Sequence, residues 1–198
     1  MKILILFFLF IEISHAKGLY LMAGGGINAS TYNTNGEATQ LGGGINLKTD
    51  LGYFFDDHWS LEWSSSVKFN RVERFTFWDT LMTIGPRYQF GDNPYYLRAF
   101  FGRAPTVIYL DDAPEVIRQN NSSRIQLNGL VYGLAVGENM KSKKDLVWFY
   151  EFALSYQELD DQTGLRNDGD VPVVVYERIN DEHFHIVSLL ATIGVRVF

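Results

Sequence analysis

Apolar and polar side chains alternate along most of this chain with a period of two. In the segment that begins at Trp59, one face carries Trp59, Leu61, Trp63, Val67 and Phe69, and the opposite face carries Ser60, Glu62, Ser64, Ser66, Lys68 and Asn70. The segments that begin at Leu41 and Leu146 follow the same pattern. Successive side chains of a β-strand point to opposite faces, so the alternation predicts strands with one apolar and one polar face.

Eight stretches alternate in this way, at about residues 18–30, 39–54, 58–70, 74–90, 95–110, 125–139, 145–159 and 183–198. The connections 55–58, 91–94 and 140–144 are short, whereas 30–36, 111–123 and 160–182 are longer, and 71–73 is a short exception. An even number of strands with short turns on one side and long loops on the other is typical of bacterial outer-membrane barrels. The sequence therefore predicts an all-β, eight-stranded antiparallel up-and-down transmembrane β-barrel over residues 17–198.

The positions of the aromatic residues favour lipid, rather than water, around this barrel. One group lies near the short turns and comprises Tyr53, Trp59, Tyr88, Phe90, Tyr95, Trp148 and Tyr150; a second lies towards the other strand ends and comprises Phe75, Phe77, Trp78, Tyr109 and Tyr156. Two aromatic belts separated by the length of a strand are typical of a barrel that crosses a bilayer. A water-soluble barrel would show the same alternation with the two faces reversed.

Residues 1–16 have the features of a cleaved signal peptide. Lys2 provides a positive start, residues 3–11 are apolar, and Ser14-His15-Ala16 places small residues at the cleavage position. A secreted chain with no cysteine fits a bacterial envelope better than a disulfide-bonded extracellular domain. We therefore expect the outer membrane of a Gram-negative-type bacterium, with both chain termini in the periplasm.

Composition excludes several other classes of protein. Aromatic residues make up 15% of the chain, which argues against bulk disorder. The net charge of −6 argues against a nucleic-acid partner. The absence of cysteine excludes disulfides, thiolate zinc sites and thiol nucleophiles.

Two segments and the last residue resemble those of known outer-membrane proteins. Gly52 to Glu62 reads GYFFDDHWSLE, Ile84 to Phe90 reads IGPRYQF, and the chain ends at Phe198. These segments are similar to those of the small eight-stranded proteins of the OmpA, OmpX and OmpW kind. The resemblance implies recognition of the terminal strand by the barrel-assembly machinery and contact with outer-membrane lipids and lipopolysaccharide. The alternation places Val197 and Val187 on the lipid face, so we expect Phe198 to lie beyond a twist or bulge.

The interior of an eight-stranded barrel is just wide enough for its own side chains. Its predicted inward positions include four cations and four carboxylates: Lys48, Lys68, Arg87, Arg98, Asp50, Glu62, Asp79 and Glu151. Five of these lie about four to six residues from a short turn, and Arg196 joins them if the last strand is assigned as above. We therefore predict a lumenal salt-bridge cluster of Asp50, Glu62, Arg87, Arg98, Glu151 and Arg196 near the periplasmic end. It is either a structural plug or an ion gate.

Prolines and glycines mark irregular places within the predicted strands. Pro86 and Pro105 each remove a ladder hydrogen bond from a sheet without free edges, and both lie near a strand end, where a bulge is tolerable. Two glycine triplets, 24–26 and 42–44, come to lie side by side in the first hairpin. We expect Tyr96 and Phe100 to fill the space that they leave.

Candidate chemistry is sparse, and we predict no catalytic residues, no metal site and no cofactor. His183 and His185 share one face of a strand, but two ligands do not make a metal site. Lipid A deacylases of this architecture place His and Ser two residues apart, whereas His185 and Ser188 are three apart and on opposite faces. Omptin-type proteases use acidic and Asp-His pairs at the rim, for which Asp111-Asp112, Asp160-Asp161 and His183 are available, but those enzymes have ten strands. The acidic segment 160–182 is expected to be a solvated loop.

Three functions follow from this reading. The preferred one is a non-enzymatic barrel that anchors surface loops, for envelope integrity or adhesion. The second, implied by the OmpW-like resemblance, is a narrow transporter for small apolar compounds. The third is a lipid-modifying or proteolytic barrel.

Overall fold

The structure is a computed structural model that describes residues 18–34, 39–72, 75–110, 122–140, 146–168, 171–175 and 184–197. The predicted signal peptide, His183, Phe198, and the aspartates of the first rim pair, Asp111 and Asp112, lie outside these residues. Ten strands run in chain order: β1 Leu19–Thr34, β2 Gln40–Phe54, β3 Trp59–Val72, β4 Phe75–Gln89, β5 Tyr95–Arg103, β6 Thr106–Leu110, β7 Ser122–Met140, β8 Leu146–Asp168, β9 Val171–Val175 and β10 Phe184–Val197. The described residues contain no helix long and apolar enough to cross a membrane.

These strands form a closed antiparallel barrel of eight. β1 pairs with β2 on one side and with β10 on the other, which closes the sheet. β5 and β6 act as one barrel strand, because both pair with β4 and with β7 in one unbroken register. β9 pairs with the outer part of β8, beyond the barrel wall. The prediction of an eight-stranded antiparallel barrel is confirmed.

Following paired residues once around the barrel shows how far the strands are staggered. The path runs from Met22 through Asp50, Ser64, Thr83, Gly102, Val131, Gln157 and Ile186 back to Tyr32. It returns to β1 ten residues beyond its start. Strands with such a stagger tilt by roughly 35–45° from the barrel axis and enclose an interior that side chains fill.

The apolar faces of the strands point outward. Trp63, Phe152 and Ile193 are 51%, 51% and 54% exposed, and they lie in a continuous band of exposed hydrophobic side chains around the wall. On the same strands Ser64, Glu151 and Thr192 are buried in the interior. The outward direction of the apolar face, which the alternation alone left open, is therefore confirmed.

The strands continue further on the long-loop side than the alternation predicts. β8 reaches Asp168, and β9 occupies Val171–Val175, so part of the expected loop 160–182 is a β-hairpin. Backbone pairing between β7 and β8 continues past a register shift at Asn128/Gly129. The extension was missed because backbone hydrogen bonds can extend a ladder where the side chains no longer alternate.

Neither proline of the barrel wall coincides with a register shift. Pro86 remains the partner of Leu61 on β3, and the register of β4 with β5 and β6 is the same on both sides of Pro105. The bulge that we considered tolerable at these positions does not form there. The register shifts lie on the β7–β8 ladder instead.

The turn between β2 and β3 is closed by Asp56. Its Oδ1 accepts hydrogen bonds from the backbone N–H groups of Trp59 and His58, each at 2.7 Å. These two donors favour the ionised carboxylate and lower the pKa of Asp56 below its ordinary value. Asp56 therefore fixes the short connection that sets the register of this hairpin.

The glycine triplet of β2 offers a test of barrel closure. A Cβ at Gly44 would lie 1.6 Å from the carbonyl oxygen of Phe69, whereas a Cβ at Gly43 would meet nothing nearer than 3.6 Å. We expect Gly44→Ala to destabilise the folded barrel by more than about 1 kcal/mol and Gly43→Ala to change its stability by less than about 0.5 kcal/mol. Urea unfolding in lipid vesicles measures both, and equal effects would contradict the close approach of β2 and β3.

Candidate functional site: the charged layer of the lumen

The inward faces of the strands bring charged side chains together in the lumen. Nine are buried among the described residues: Lys48, Asp50, Glu62, Lys68, Asp79, Arg87, Arg98, Glu151 and Arg196. Unpaired charges at this depth would be strongly unfavourable, so their partners decide what the lumen can do. Seven of them lie towards the ends of the strands that carry the short turns. We call these seven, with the polar side chains that bind them, the charged layer.

Glu151 and Asp50 share two cations on one side of this layer. Glu151 Oε1 lies 2.6 Å from Lys48 Nζ and 3.3 Å from an Arg98 guanidinium nitrogen. Asp50 lies 3.0 Å from Lys48 Nζ and 3.6 Å from Arg98. Arg98 therefore joins carboxylates that belong to β2 and β8.

Glu62 continues the network on the other side of Arg98. Its carboxylate lies 3.4 Å from Arg98 and 2.7 Å from Arg87, and it accepts a 2.5 Å hydrogen bond from the hydroxyl of Tyr20. Tyr20 also shares a 2.9 Å hydrogen bond with Ser60. Each oxygen of Glu62 is thus held by at least one donor.

Aromatic rings and an amide complete the layer. The Arg87 guanidinium lies 3.6 Å from the ring centroid of Tyr96 and donates to Asn139 Oδ1 at 3.0 Å. The hydroxyl of Tyr96 donates to Glu151 at 3.1 Å. The Arg196 guanidinium lies 5.5 Å from the ring centroid of Tyr20. Together these residues come from all eight barrel strands, so the network spans the whole lumen.

The structure buries all six residues of the predicted cluster in this part of the lumen. Asp50, Glu62, Arg87, Arg98 and Glu151 form ion pairs with one another or with Lys48, while Arg196 packs against aromatic rings. The alternation predicts that Lys48 points inward, but the predicted salt-bridge cluster does not include it, because Lys48 lies further from its turn than the other residues. Its long side chain reaches back to Glu151. Tyr20, Tyr96 and Asn139 carried no charge to identify them in the sequence.

A second buried ion pair lies nearer the long loops. Lys68 Nζ is 3.2 Å from Asp79 and donates to Ser188 Oγ at 2.9 Å. Asn70 Nδ2 donates to the same Asp79 oxygen at 3.3 Å. This pair joins β3 to β4, and the hydrogen bond to Ser188 extends it across the lumen to β10.

The outer part of the lumen is largely apolar, which the sequence analysis did not predict. Its packed side chains include Tyr32, Val72, Phe77, Leu81, Phe100, Ile108, Leu127, Val131, Leu159, Ile186 and Leu190. A cavity of about 20 Å³, room for a water molecule, lies between this apolar cluster and the charged layer. The expected packing of Tyr96 and Phe100 against the glycine triplets is not observed. These rings lie where Cβ atoms of Gly137 and Gly133 would be.

The residues considered for catalysis or metal binding lie apart. The hydroxyl of Tyr156 and His185 Nδ1 form a 2.7 Å hydrogen bond, whereas Ser188 points into the lumen and bonds Ser30 and Lys68. Within the described part of the chain, no three His, Asp or Glu side chains are placed to hold a metal ion. The charged layer contains four cations and three carboxylates, so ion pairs neutralise most of its charge while its side chains fill this end of the lumen.

Comparisons with known proteins support the fold. No family model and no curated protein sequence match this chain. Among solved structures it is similar to Neisserial surface protein A, NspA, with 16% identity over 91% of this chain and 97% of that one, and a TM-score of 0.58. It is also similar to Ail, the attachment invasion locus protein of Yersinia pestis, with 15% identity over 90% and 98% of the chains and a TM-score of 0.53. The outer membrane protein OprG from Pseudomonas aeruginosa matches with 13% identity over 90% and 95% and a TM-score of 0.50. The chain therefore has the fold of the small outer-membrane β-barrels.

The ion pairs of the charged layer should contribute to the stability of the folded barrel. Replacing Glu151 with Leu removes one of the two carboxylates that Lys48 and Arg98 share, and breaking a buried network in this way costs about 3–5 kcal/mol. We expect Glu151→Leu to lower the free energy of unfolding by that amount in lipid vesicles. The exposed Asp57→Ala is the control and should change it by less than about 0.5 kcal/mol.

A second variant separates lost packing from unpaired charge. Adding Lys48→Met to Glu151→Leu removes a cation that would otherwise have lost one of its two carboxylate partners, so the double variant should be more stable than Glu151→Leu alone. Lys48→Met is also measured alone. If the stability loss of the double variant equals the sum of the losses of Glu151→Leu and Lys48→Met, the two residues do not interact.

Proposed function

We propose that this protein is a non-enzymatic outer-membrane barrel, closed to through-passage, that anchors surface-exposed strand ends and loops for adhesion or envelope integrity. The observation that carries this proposal is the charged layer, to which all eight barrel strands contribute. In the described part of the chain, ion pairs and aromatic rings fill one end of the lumen and obstruct a water-filled path through it. The surface-exposed strand ends and loops are then the parts of the molecule that can bind a partner.

Residence in a membrane is supported by the outer surface of the barrel. Every barrel strand carries an apolar side chain that is about half exposed or more, as Ile27, Leu47, Trp63, Met82, Phe101, Leu134, Leu154 and Leu189 show. Large exposed apolar surfaces of this kind are rare on soluble monomers. Aromatic residues flank the apolar band, with Tyr53, Trp59, Tyr88 and Trp148 at the short-turn end and Phe69, Trp78, Tyr109 and Tyr156 towards the other. Phe77, which we expected in the second group, packs inside the lumen instead. We propose outer-membrane lipids and lipopolysaccharide as the molecules in contact with this band.

The orientation follows from the connections. Outer-membrane barrels place short turns in the periplasm and longer loops outside. By this rule the Asp56 turn and both chain termini lie in the periplasm, and the β8–β9 hairpin projects outside. The terminal strand would then be the segment that the barrel-assembly machinery recognises.

Attachment is the surface role that we favour. Two of the similar structures are named as a surface protein and an attachment invasion locus protein, and one of them is described in complex with a heparin analogue, sucrose octasulfate. The likeness to this chain concerns the fold. It supports a comparable architecture, in which a closed barrel presents its outer strand ends, and not the same ligand.

The second candidate is a narrow transporter for small apolar compounds. The apolar packing of the outer lumen favours it, because such a surface would tolerate an apolar guest. The charged layer stands against passage from end to end. Measurements of conduction and of uptake therefore decide between the two roles.

Planar-bilayer recordings test the closed lumen. We expect the purified protein to give no stepwise conductance above that of the lipid, because ion pairs occupy the lumen. Arg98→Ala removes the cation shared by Asp50, Glu62 and Glu151 and should admit ions if the layer alone closes the lumen. A steady conductance of the unmodified protein would contradict the proposed anchor, and uptake of small apolar compounds by protein-containing vesicles would favour the transporter.

Epitope insertion tests the orientation. A tag inserted at residues 169–170, between β8 and β9, should bind antibody on intact cells. The matched insertion at Asp92, in the short connection between β4 and β5, should bind only after the outer membrane is permeabilised. The reverse pattern would place the short turns outside.

A further inference from the structure

One acidic side chain faces outward near the short turns of the barrel. Glu138 of β7 is half-buried on the outer face, whereas its neighbours Gly137 and Asn139 are buried on the inward side. Among acids of the barrel strands whose side chains the structure describes, only Glu138 and Glu158 face outward, and Glu158 lies near the long-loop side of β8. The others are buried in the lumen: Asp50, Glu62, Asp79 and Glu151. An ionisable side chain on the outer face of a membrane barrel is costly without a partner, so it suggests a binding role.

Glu138 lies at the level of the aromatic belt on the short-turn side. Its cross-strand partners are Tyr95, the first residue of β5, and Tyr150, near the start of β8. Tyr95 is 54% exposed, and Trp148, one row nearer the turn, is 46% exposed. Tyr and Trp at this position mark the depth at which a barrel meets lipid headgroups. The carboxylate therefore lies where polar headgroups, rather than acyl chains, surround the wall.

The contacts of Glu138 leave its negative charge without a cation. The hydroxyl of Tyr150 donates a hydrogen bond to Glu138 Oε2. In the part of the chain that the structure describes, no Lys, Arg or His lies within ion-pair distance of this carboxylate. A neutral hydroxyl donor holds the carboxylate in place but does not neutralise it.

Aromatic rings lie on both sides of this carboxylate. Residues directly opposite one another on neighbouring antiparallel strands have Cβ atoms about 4.5–5.5 Å apart, so Tyr95 and Tyr150 are immediate neighbours of Glu138. The face of an aromatic ring carries negative charge and attracts a cation. A carboxylate between two tyrosine rings thus combines the two features that bind organic ammonium groups.

The surface beside this group is suited to the acyl chains of a lipid. One row nearer the middle of the membrane, Leu97, Val136 and Phe152 face outward on the same three strands. They are 40%, 53% and 51% exposed. A phospholipid with its headgroup at Glu138 would lay its acyl chains along this apolar row.

We propose that Glu138, Tyr95 and Tyr150 bind the headgroup of a phospholipid that ends in a primary ammonium, such as phosphatidylethanolamine, at the short-turn end of the barrel. This inference rests on the proposed membrane location. The ammonium donates hydrogen bonds to the carboxylate and lies against the tyrosine rings, and the acyl chains cover the apolar row. The site thereby neutralises the one acid on the outer face near the short turns among the described side chains.

Native mass spectrometry of the folded barrel, released from detergent micelles, tests this site. Phosphatidylethanolamine and phosphatidylglycerol with identical acyl chains are titrated separately. We expect the first phosphatidylethanolamine to bind at least about fivefold more tightly than the first phosphatidylglycerol, because only the former carries a cation. Glu138→Gln keeps an acceptor for the Tyr150 hydroxyl but removes the charge, so it should reduce this ratio below about twofold.

The connection that follows β7 cannot produce this preference. Its sequence contains Lys141, Lys143 and Lys144, which attract the anionic phosphatidylglycerol rather than the ammonium lipid. A preference for phosphatidylethanolamine that depends on the charge of Glu138 therefore reports on the outward carboxylate.

Two further variants define the site. Glu158→Gln is the matched control, because it makes the same change on the outer face near the long-loop side, and it should leave the lipid preference unchanged. Tyr95→Leu removes one ring and keeps the carboxylate. It should weaken phosphatidylethanolamine binding about two- to fivefold, the value of an exposed cation–π contact, and leave phosphatidylglycerol binding unchanged.

Three outcomes would overturn the proposal: equal affinity of the unmodified barrel for the two lipids, an unchanged ratio in Glu138→Gln, or loss of the preference in Glu158→Gln. Each of these leaves the membrane location intact, because lipid remains bound. If neither lipid binds the unmodified barrel, the proposed membrane location fails together with the site. The failure of the site alone is therefore distinguishable from the failure of the proposed function.

Discussion

The structure depends on the need of every backbone N–H and C=O group for a partner where the surroundings offer no water. A sheet meets this need without a free edge only by closing on itself, and here the pairing of β1 with β10 does so. Closure with eight strands and a stagger of ten residues then fixes the width of the interior. The apolar side chains need no further partner, since they face outward along the wall. The inward-pointing side chains are therefore the ones that must find partners within the lumen.

The narrow interior explains why its polar groups occur in layers. Charges near the short turns are within reach of one another across the lumen. The single side chain of Arg98, for example, contacts Asp50, Glu62 and Glu151. Further out, side chains such as Phe77 and Leu127 fill the same cross-section without needing partners. The sequence of layers, with ion pairs at one end and apolar packing at the other, closes the lumen by two different physical means. At the ion-paired end, the loss of a single side chain leaves a buried charge with fewer partners.

Much of this architecture was predictable from the alternation, because period two reports directly on which face of a strand meets hydrocarbon. The eight barrel strands and the inward direction of the predicted charged residues followed from it. The contribution of Lys48 did not, since alternation gives the direction of a side chain but not its reach. The apolar outer lumen was also missed, because Ile108 and Leu127 are apolar yet face inward, against the direction that the alternation gives elsewhere. The β8–β9 hairpin depends on backbone pairing, which side-chain patterns outside the membrane do not report.

Prolines carry more information in a closed barrel than in an open sheet, because the wall has no edge at which a missing donor is harmless. Pro86 and Pro105 lie on different strands and nineteen residues apart in the sequence, yet the alternation of donors directs both losses to the ladder between β4 and the β5–β6 strand. The pairing of this ladder is interrupted, whereas the adjacent β3–β4 ladder is complete. Closure of the sheet, which makes the barrel stable in lipid, thus also concentrates the effect of both prolines in one part of the wall.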